Sequence, residues 1–130
     1  MYLDANVFAF AGFDETSIGQ RARKFLKDVH MGKTAMTSSL TFDEFMWTAI
    51  KQKRQGELRN LLNGFYSLHN LDIKPVSSLI PLRAMAIMEE TGLKPRDSFH
   101  VAIMEEFGVK EIVSDDSDFD KVPWIERIKI

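Results

Sequence analysis

Tyr2-Leu3-Asp4-Ala5-Asn6-Val7-Phe8 is the stretch from which the fold is read. Two apolar residues begin a short buried strand, and a charged residue stops it at once. Ala5 to Ala11 then suits a short helix closing at Gly12. The same change of period recurs along the chain. Ser17 to Met31 carries Ile18, Ala22, Phe25, Leu26 and Val29 at spacings of three and four, the pattern of an amphipathic helix, and Gly32 stops it. Thr34 to Thr37 reads as a second strand entering Ser38-Ser39. Leu40 to Lys53 is a helix with Phe42, Phe45, Met46 and Ala49 on one side, and Glu57 to Leu68 is another. Leu71 to Lys74 is a strand stopped by Pro75. Ser77 to Thr91 and Pro95 to Phe107 are helices ended by Gly92 and Gly108, with Pro95 suited to a first helical turn. Glu111 to Ser114 and Arg127 to Ile130 are the last strands. Strands alternating with helices, without hairpin signals, imply parallel βαβ units in a three-layer α/β/α sandwich with a short, mainly parallel sheet.

Composition sets outer bounds. At 130 residues the chain is expected to form a single domain over 1–130, and 45% hydrophobic residues with ten Phe can fill a core without staples. The absence of cysteine removes disulfides, thiolate metal sites and a thiol nucleophile. The N-terminus has neither a basic segment nor an apolar run, and no stretch is long enough to span a bilayer, so a cytoplasmic protein with no membrane attachment is expected. A net charge of −2 argues against a generic electrostatic nucleic-acid binder. That average hides a division. Residues 1–65 hold nine basic and seven acidic side chains, and residues 66–130 hold eight and twelve.

The carboxyl ends of parallel strands share one edge, where open α/β sheets bind ligands. Acids gather there. The first strand delivers Asp4, with Asn6 two residues on. The second leads into Ser38 and then Glu44. The strand at 111–114 delivers Ser114, Asp115 and Asp116, with Asp118 close behind, and Asp97 opens the helix after Lys94. Each has a plain structural reading: a helix dipole for Asp97, a capping box with Thr41 for Glu44, and a solvated loop for 115–120. Together they form a set of hard oxygen donors. Such donors suit Mg²⁺ or Mn²⁺, which would let water serve as the nucleophile on a phosphodiester.

Four ordered segments resemble the PIN domain superfamily, and within it the VapC-type toxins. They are Tyr-Leu-Asp-Ala-Asn-Val at 2–7, Thr-Ser-Ser-Leu-Thr-Phe-Asp-Glu-Phe at 37–45, Arg-Asp-Ser-Phe-His-Val-Ala at 96–102 and Ile-Val-Ser-Asp-Asp-Ser-Asp-Phe-Asp at 112–120. The resemblance implies a metal-dependent endoribonuclease of the single-strand type that leaves 5′-phosphate and 3′-hydroxyl ends. It further implies the toxin of a toxin–antitoxin pair, a homodimer with a small antitoxin partner. It implies Asp4, Glu44, Asp97 and Asp116 as the catalytic acids. On that pattern Asp4, Asp97 and Asp116 would hold Mg²⁺ or Mn²⁺, Asp118 would be a competing or additional ligand, and Glu44 would position or deprotonate the attacking water. Asn6, Ser38 and Ser114 are supporting groups; Asn6 stands where the family commonly has Thr or Ser.

Arg21, Arg23, Lys24, Lys27, Lys51, Lys53, Arg54 and Arg59 lie on two helices that can flank an RNA path. Arg96, Arg23, Lys53 and Arg54 are the contact candidates. His100, Met85, Ile87, Met88, Ile103 and Met104 read as packing residues. Phe8, Phe10, Phe13, Phe42, Phe45 and Trp47 exceed what a small sheet needs, and some are expected to form an apolar partner surface. Two rivals are a haloacid-dehalogenase-like phosphatase with Asp4 as nucleophile, which expects Asp where Asn6 stands, and a catalytically inactive PIN-like binding module.

Overall fold

The computed structural model describes residues 1–130. In chain order the elements are β1 (Tyr2–Leu3), α1 (Ala5–Phe13), α2 (Ser17–His30), β2 (Ala35–Ser38), α3 (Ser39–Lys51), α4 (Leu58–Tyr66), β3 (Leu71–Lys74), α5 (Ile80–Thr91), α6 (Pro95–Glu106), β4 (Glu111–Val113) and β5 (Glu126–Ile128). Single 3₁₀ turns lie at Gln55–Glu57 and Ser117–Lys121. The five strands form one sheet in the order β3-β2-β1-β4-β5, and every pairing is parallel. No helix is long and apolar enough to cross a membrane.

Side-chain alternation in the strands divides the core into two layers. Leu3, Ala35 and Val113 pack with α1 to α4 on one face; Tyr2, Met36 and Ile112 pack with α5 and α6 on the other. The α/β/α sandwich expected from the sequence is therefore present. The aromatic surplus mostly fills the first layer. Phe8 lies 5.1 Å from Phe42 and 5.0 Å from Phe65, and Phe13 stacks on Phe45 at 5.1 Å. Phe8, Phe13, Phe42 and Phe45 are buried, which corrects the expectation that they contribute to an exposed patch. Trp47 alone of that group is classed as exposed, beside Met46 and Ile50 on α3. Met85 is also not core: with Leu79 and Leu82 it forms an exposed apolar stripe at the start and outer side of α5.

Several element ends shift by one to three residues, and one shift changes side-chain direction. β2 ends at Ser38 rather than Thr37, and α3 begins directly at Ser39. α5 starts at Ile80 rather than Ser77, and β5 covers 126–128 rather than 127–130. Gly92 ends α5 with φ +71°, a left-handed turn that glycine adopts without strain. α1 and α2 meet tightly at Gly19, where a Cβ would stand 1.8 Å from the Asp14 carbonyl oxygen. Arg23 donates to the Ala11 and Asp14 carbonyls at 3.1 and 2.8 Å, and Arg54 donates to the Phe13 carbonyl at 3.0 Å, closing the exposed end of α1.

Candidate metal centre at the carboxyl edge of the sheet

β1 lies at the middle of the sheet, where the chain order reverses between β2 and β4. The strand ends at that switch carry Asp4 and Ser114, and the backbone N–H of Asp4 donates to the Val113 carbonyl at 3.2 Å. Asp4 is also the N-cap of α1, with Oδ1 accepting the Ala5 N–H at 2.7 Å. Its Oδ2 accepts from Ser114 Oγ at 2.6 Å and from Asn6 Nδ2 at 2.9 Å. Ser114 Oγ in turn accepts from Asn6 Nδ2 and from the Asp116 N–H, each at 3.0 Å. One proton given and two received use the full capacity of a hydroxyl. Asn6 and Ser114 therefore lock Asp4 in one orientation, and Asp4 Oδ1 keeps a lone pair free.

The other acids arrive from separate elements. Asp97 lies in the first turn of α6, and Asp116 caps the 3₁₀ turn that follows β4. Glu44 lies in the second turn of α3. Asp4, Asn6, Glu44, Asp97, Asp116 and Arg96 line one cleft of about 510 Å³. Burial pushes the Asp4 carboxyl up, against the opposing effects of His100, Ser114 and the Ala5 N–H. Asp97 is raised to about 6, first by burial and then by the charge on Asp116. In both, burial is the first cause and the charge of neighbouring carboxylates adds to it.

Asp118 occupies the margin of this group. One carboxylate oxygen each from Asp97, Asp116 and Asp118 lie within 4.8 Å of one another. Yet Asp118 does not line the cleft, and Lys121 pairs with it at 2.9 Å and holds its carboxyl below the usual range. A carboxylate already neutralised by lysine is a poorer cation donor than the unpaired Asp4 and Asp97. Asp115 is exposed and faces Lys129 at 3.9 Å.

The donor set fits a hard divalent cation. It consists of oxygen atoms alone, and the Oδ1 of Asn6 is buried with no hydrogen-bond partner, although its amide nitrogen donates to Asp4 and Ser114. A buried orphan carbonyl at the mouth of an acidic cleft suits a hydrated cation.

Ser38, a supporting group, and Glu44, a candidate acid, make contacts other than those expected. Ser38 does not touch Asp4. As the last residue of β2 it points to the face that carries Met36, and its Oγ lies 2.8 Å from the Tyr2 hydroxyl. Glu44 makes no capping box, because α3 starts at Ser39 and places Thr41 inside the helix. Its Oε1 instead lies 2.5 Å from His100 Nε2. His100 is thus more than packing. Fully buried, it also lies 2.7 Å from the Tyr2 hydroxyl through Nδ1. Burial opposes a charge there, but the Tyr2 oxygen, the hydrogen bond to Glu44 and the carboxylates of Asp4 and Glu44 hold the imidazole up, at about 10. The three-residue spacing from Asp97, which puts both on one face of α6, was the available sequence signal. Ser98 Oγ has no partner and takes no part in this network.

Among the basic candidates, Arg96 lines the cleft and pairs with Asp43 at 3.2 Å, both exposed. Arg23 and Arg54 are committed to the carbonyls at the end of α1. Lys53 sits in the turn after α3 with φ +56° and does not line the cleft. Lys51 does, together with Phe10 and Trp47. Glu44, Trp47 and Lys51 recur at three and four residues, so α3 presents an acid, an aromatic and a cation along one wall.

Residues 1–125 match the sequence profile of the PIN domain. The chain belongs to the PIN domain family. A search of curated protein sequences finds no match. Among solved structures, VapC20 of Mycobacterium tuberculosis, described as a sarcin–ricin loop cleaving toxin, superposes with a TM-score of 0.76 at 14% identity, covering 92% of each chain. VapBC2 of Rickettsia felis, bound to promoter DNA, gives 0.74 at 17% identity over 98% of this chain and 96% of that one. A Klebsiella pneumoniae toxin–antitoxin complex gives 0.68 at 21% identity over 99% and 98%. At these identities the likeness is one of fold.

Proposed function

We propose that this PIN-domain protein is a cytoplasmic endoribonuclease dependent on Mg²⁺ or Mn²⁺, and the toxin member of a toxin–antitoxin pair. The observation that carries the reading is the convergence of Asp4, Glu44, Asp97 and Asp116, from four separate segments, on one cleft at the strand-order switch. Asp4, Asp97 and Asp116 are the metal-holding acids, and Asp118 flanks them. When bound, the cation neutralises phosphodiester charge and lowers the pKa of water. Asn6 and Ser114 keep Asp4 aimed at the site. Glu44 holds the water that attacks the phosphorus. A nucleophile supplied as water accords with a chain that has no cysteine and whose Ser98 stands outside the His100 network.

The rest of the cleft suits single-stranded RNA. Trp47 and Phe10 offer faces for an unpaired base, and Lys51 and Arg96 offer cations for flanking phosphates. One bound divalent ion changes the formal balance from −2 to 0 and two change it to +2, which removes the electrostatic objection to RNA. The exposed stripe of Leu79, Leu82 and Met85 supports a homodimer, and structural relatives described as toxin–antitoxin complexes support a small antitoxin partner. The phosphatase rival is disfavoured by the family match and by the amide at position 6. The inactive-module rival is disfavoured by the presence of all four acids in one cleft.

The test is an RNA-cleavage assay with purified protein in Mn²⁺ or Mg²⁺, against EDTA and an Asp4→Asn control. Cleavage that requires metal and is lost in the variant supports the reading. Cleavage that survives Asp4→Asn overturns the site, and hydrolysis of an aryl phosphate with RNA untouched overturns the reaction class.

A further inference from the structure

We propose that His100 and Tyr2 are positioning residues that fix the Glu44 carboxylate in the cleft, so that Oε1 is occupied by the protein and Oε2 alone faces the reacting water. The proposal rests on the ribonuclease reading above for its catalytic consequence, and on geometry for the rest.

Glu44 is a long side chain on a helix wall, about one-fifth exposed, and unsupported it would sample several rotamers. Its only side-chain hydrogen bond is the 2.5 Å contact with His100 Nε2. No protein donor reaches Oε2. His100 is itself immobilised, with its ring fully buried, its edge against the Tyr2 ring at 5.5 Å and its Nδ1 2.7 Å from the Tyr2 hydroxyl. Tyr2 is anchored in turn by Ser38 Oγ at 2.8 Å. The chain of contacts therefore runs from a strand end through a phenol and an imidazole to one carboxylate oxygen.

The arrangement does not depend on which protons the imidazole carries. Nε2 faces a carboxylate and must donate. Nδ1 can accept from the Tyr2 hydroxyl, or donate to its oxygen while that hydroxyl donates to Ser38. Either way Nε2–H holds Glu44. The network ends in the buried core and offers no outlet for a proton, so it orients the carboxylate and does not relay protons.

Two of the three segments that supply the metal-holding acids also supply the brace. Tyr2 on β1 and Asp4, in extended backbone just past its end, are two residues apart and share a face. On α6, Asp97 and His100 are three apart and share a face. A displacement of either element would move a metal-facing acid and the support of Glu44 together. Glu44 is thereby tied to Asp4 and Asp97 although α3 contributes neither.

The experiment combines kinetics with a readout that needs no RNA. Tyr2→Phe and His100→Gln are compared with wild type for kcat, KM and Mn²⁺ affinity by calorimetry, with folding checked by circular dichroism. Loss of a group orienting a site residue costs about 10–100-fold. Tyr2→Phe, which leaves Nδ1 unpartnered, is expected to lower kcat about 10-fold with KM and Mn²⁺ affinity unchanged. His100→Gln, whose amide can still donate to Glu44, is expected to retain more activity than His100→Leu.

In parallel, nitrogen-resolved proton NMR of the metal-free protein is expected to show a downfield, slowly exchanging His100 Nε2–H that disappears in Glu44→Ala. Persistence of that resonance in Glu44→Ala, or its absence from wild type, overturns the proposal whether or not RNA is cut. Equal kcat in Tyr2→Phe, His100→Leu and wild type overturns the positioning role. The resonance present in a wild type that cuts no RNA overturns the ribonuclease reading and supports the fixed Glu44 geometry.

Discussion

Asp97→Asn should make the metal-free protein more stable while removing its function. Asp97 makes no side-chain hydrogen bond, so the substitution deletes charge without breaking a contact. Its carboxyl sits at about 6 in the folded protein against an ordinary 3.8, because burial and Asp116 disfavour the anion. Fully realised, that displacement costs the folded state about 3 kcal/mol at neutral pH. The side chain is only half-buried, and solvent screening reduces the cost to about 1–1.5 kcal/mol. The first turn of α6 returns about 0.5 kcal/mol to an acid, leaving a net gain of about 0.5–1 kcal/mol for Asn.

The pH dependence fixes the sign. Below about pH 4 both folded and unfolded chains hold the proton, and wild type and variant should match. Between about 4 and 6 the unfolded chain releases its proton first, so wild type loses stability as pH rises, and above 6 the gap is constant. Thermal unfolding in EDTA from pH 4 to 8 should show the variant higher by about 2–6 °C at pH 7.5 and nearly equal at pH 4. Added Mn²⁺ should reverse the order. Wild type gains about 2.7 kcal/mol at one hundred times its dissociation constant, and the variant gains less. A wild type as stable as Asp97→Asn in EDTA at pH 7.5 would refute the claim that this acid is held at a cost for a cation.

Three further outcomes follow from the packing and the cleft. Gly19→Ala drives a methyl into the Asp14 carbonyl and should cost about 3 kcal/mol, read as a lower midpoint in urea; an unchanged midpoint would show that α1 and α2 separate freely. Trp47→Ala should raise KM for single-stranded RNA about 10-fold with little change in kcat, as expected for loss of one stacked base, and equal KM would remove Trp47 from the RNA path. Leu82→Glu, which charges the exposed α5 stripe, should convert a dimer into a monomer in analytical ultracentrifugation. A dimer that persists would place the interface elsewhere.

Much of the fold was legible because its signals are local. A two-residue apolar strand stopped by Asp4, helices ended by Gly92 and Gly108, and the recurrence of strand then helix all act within a few residues. The placement of Asp4, Asp97 and Asp116 was legible for the same reason: each follows a strand end or opens a helix. What escaped depends on register and on distant partners. Extending β2 by one residue to Ser38 turns that side chain away from Asp4 and toward Tyr2. Glu44 finds His100 across 56 positions of chain, a contact no local pattern carries. Arg23 and Arg54 look like free cations in sequence, yet they satisfy carbonyls left open where α1 ends. Met85 and the phenylalanines have the same apolar character, and only the stacking of α5 and α6 on one face of the sheet decides which is covered.

The chemistry of the cut ends tests the central claim most directly. Single-stranded RNA incubated with the purified protein and Mn²⁺ should yield fragments with 5′-phosphate and 3′-hydroxyl ends, identified by mass, and EDTA should leave the RNA intact. Fragments ending in a 2′,3′-cyclic phosphate, or cleavage that continues in EDTA, would contradict an acid-held cation and a water nucleophile.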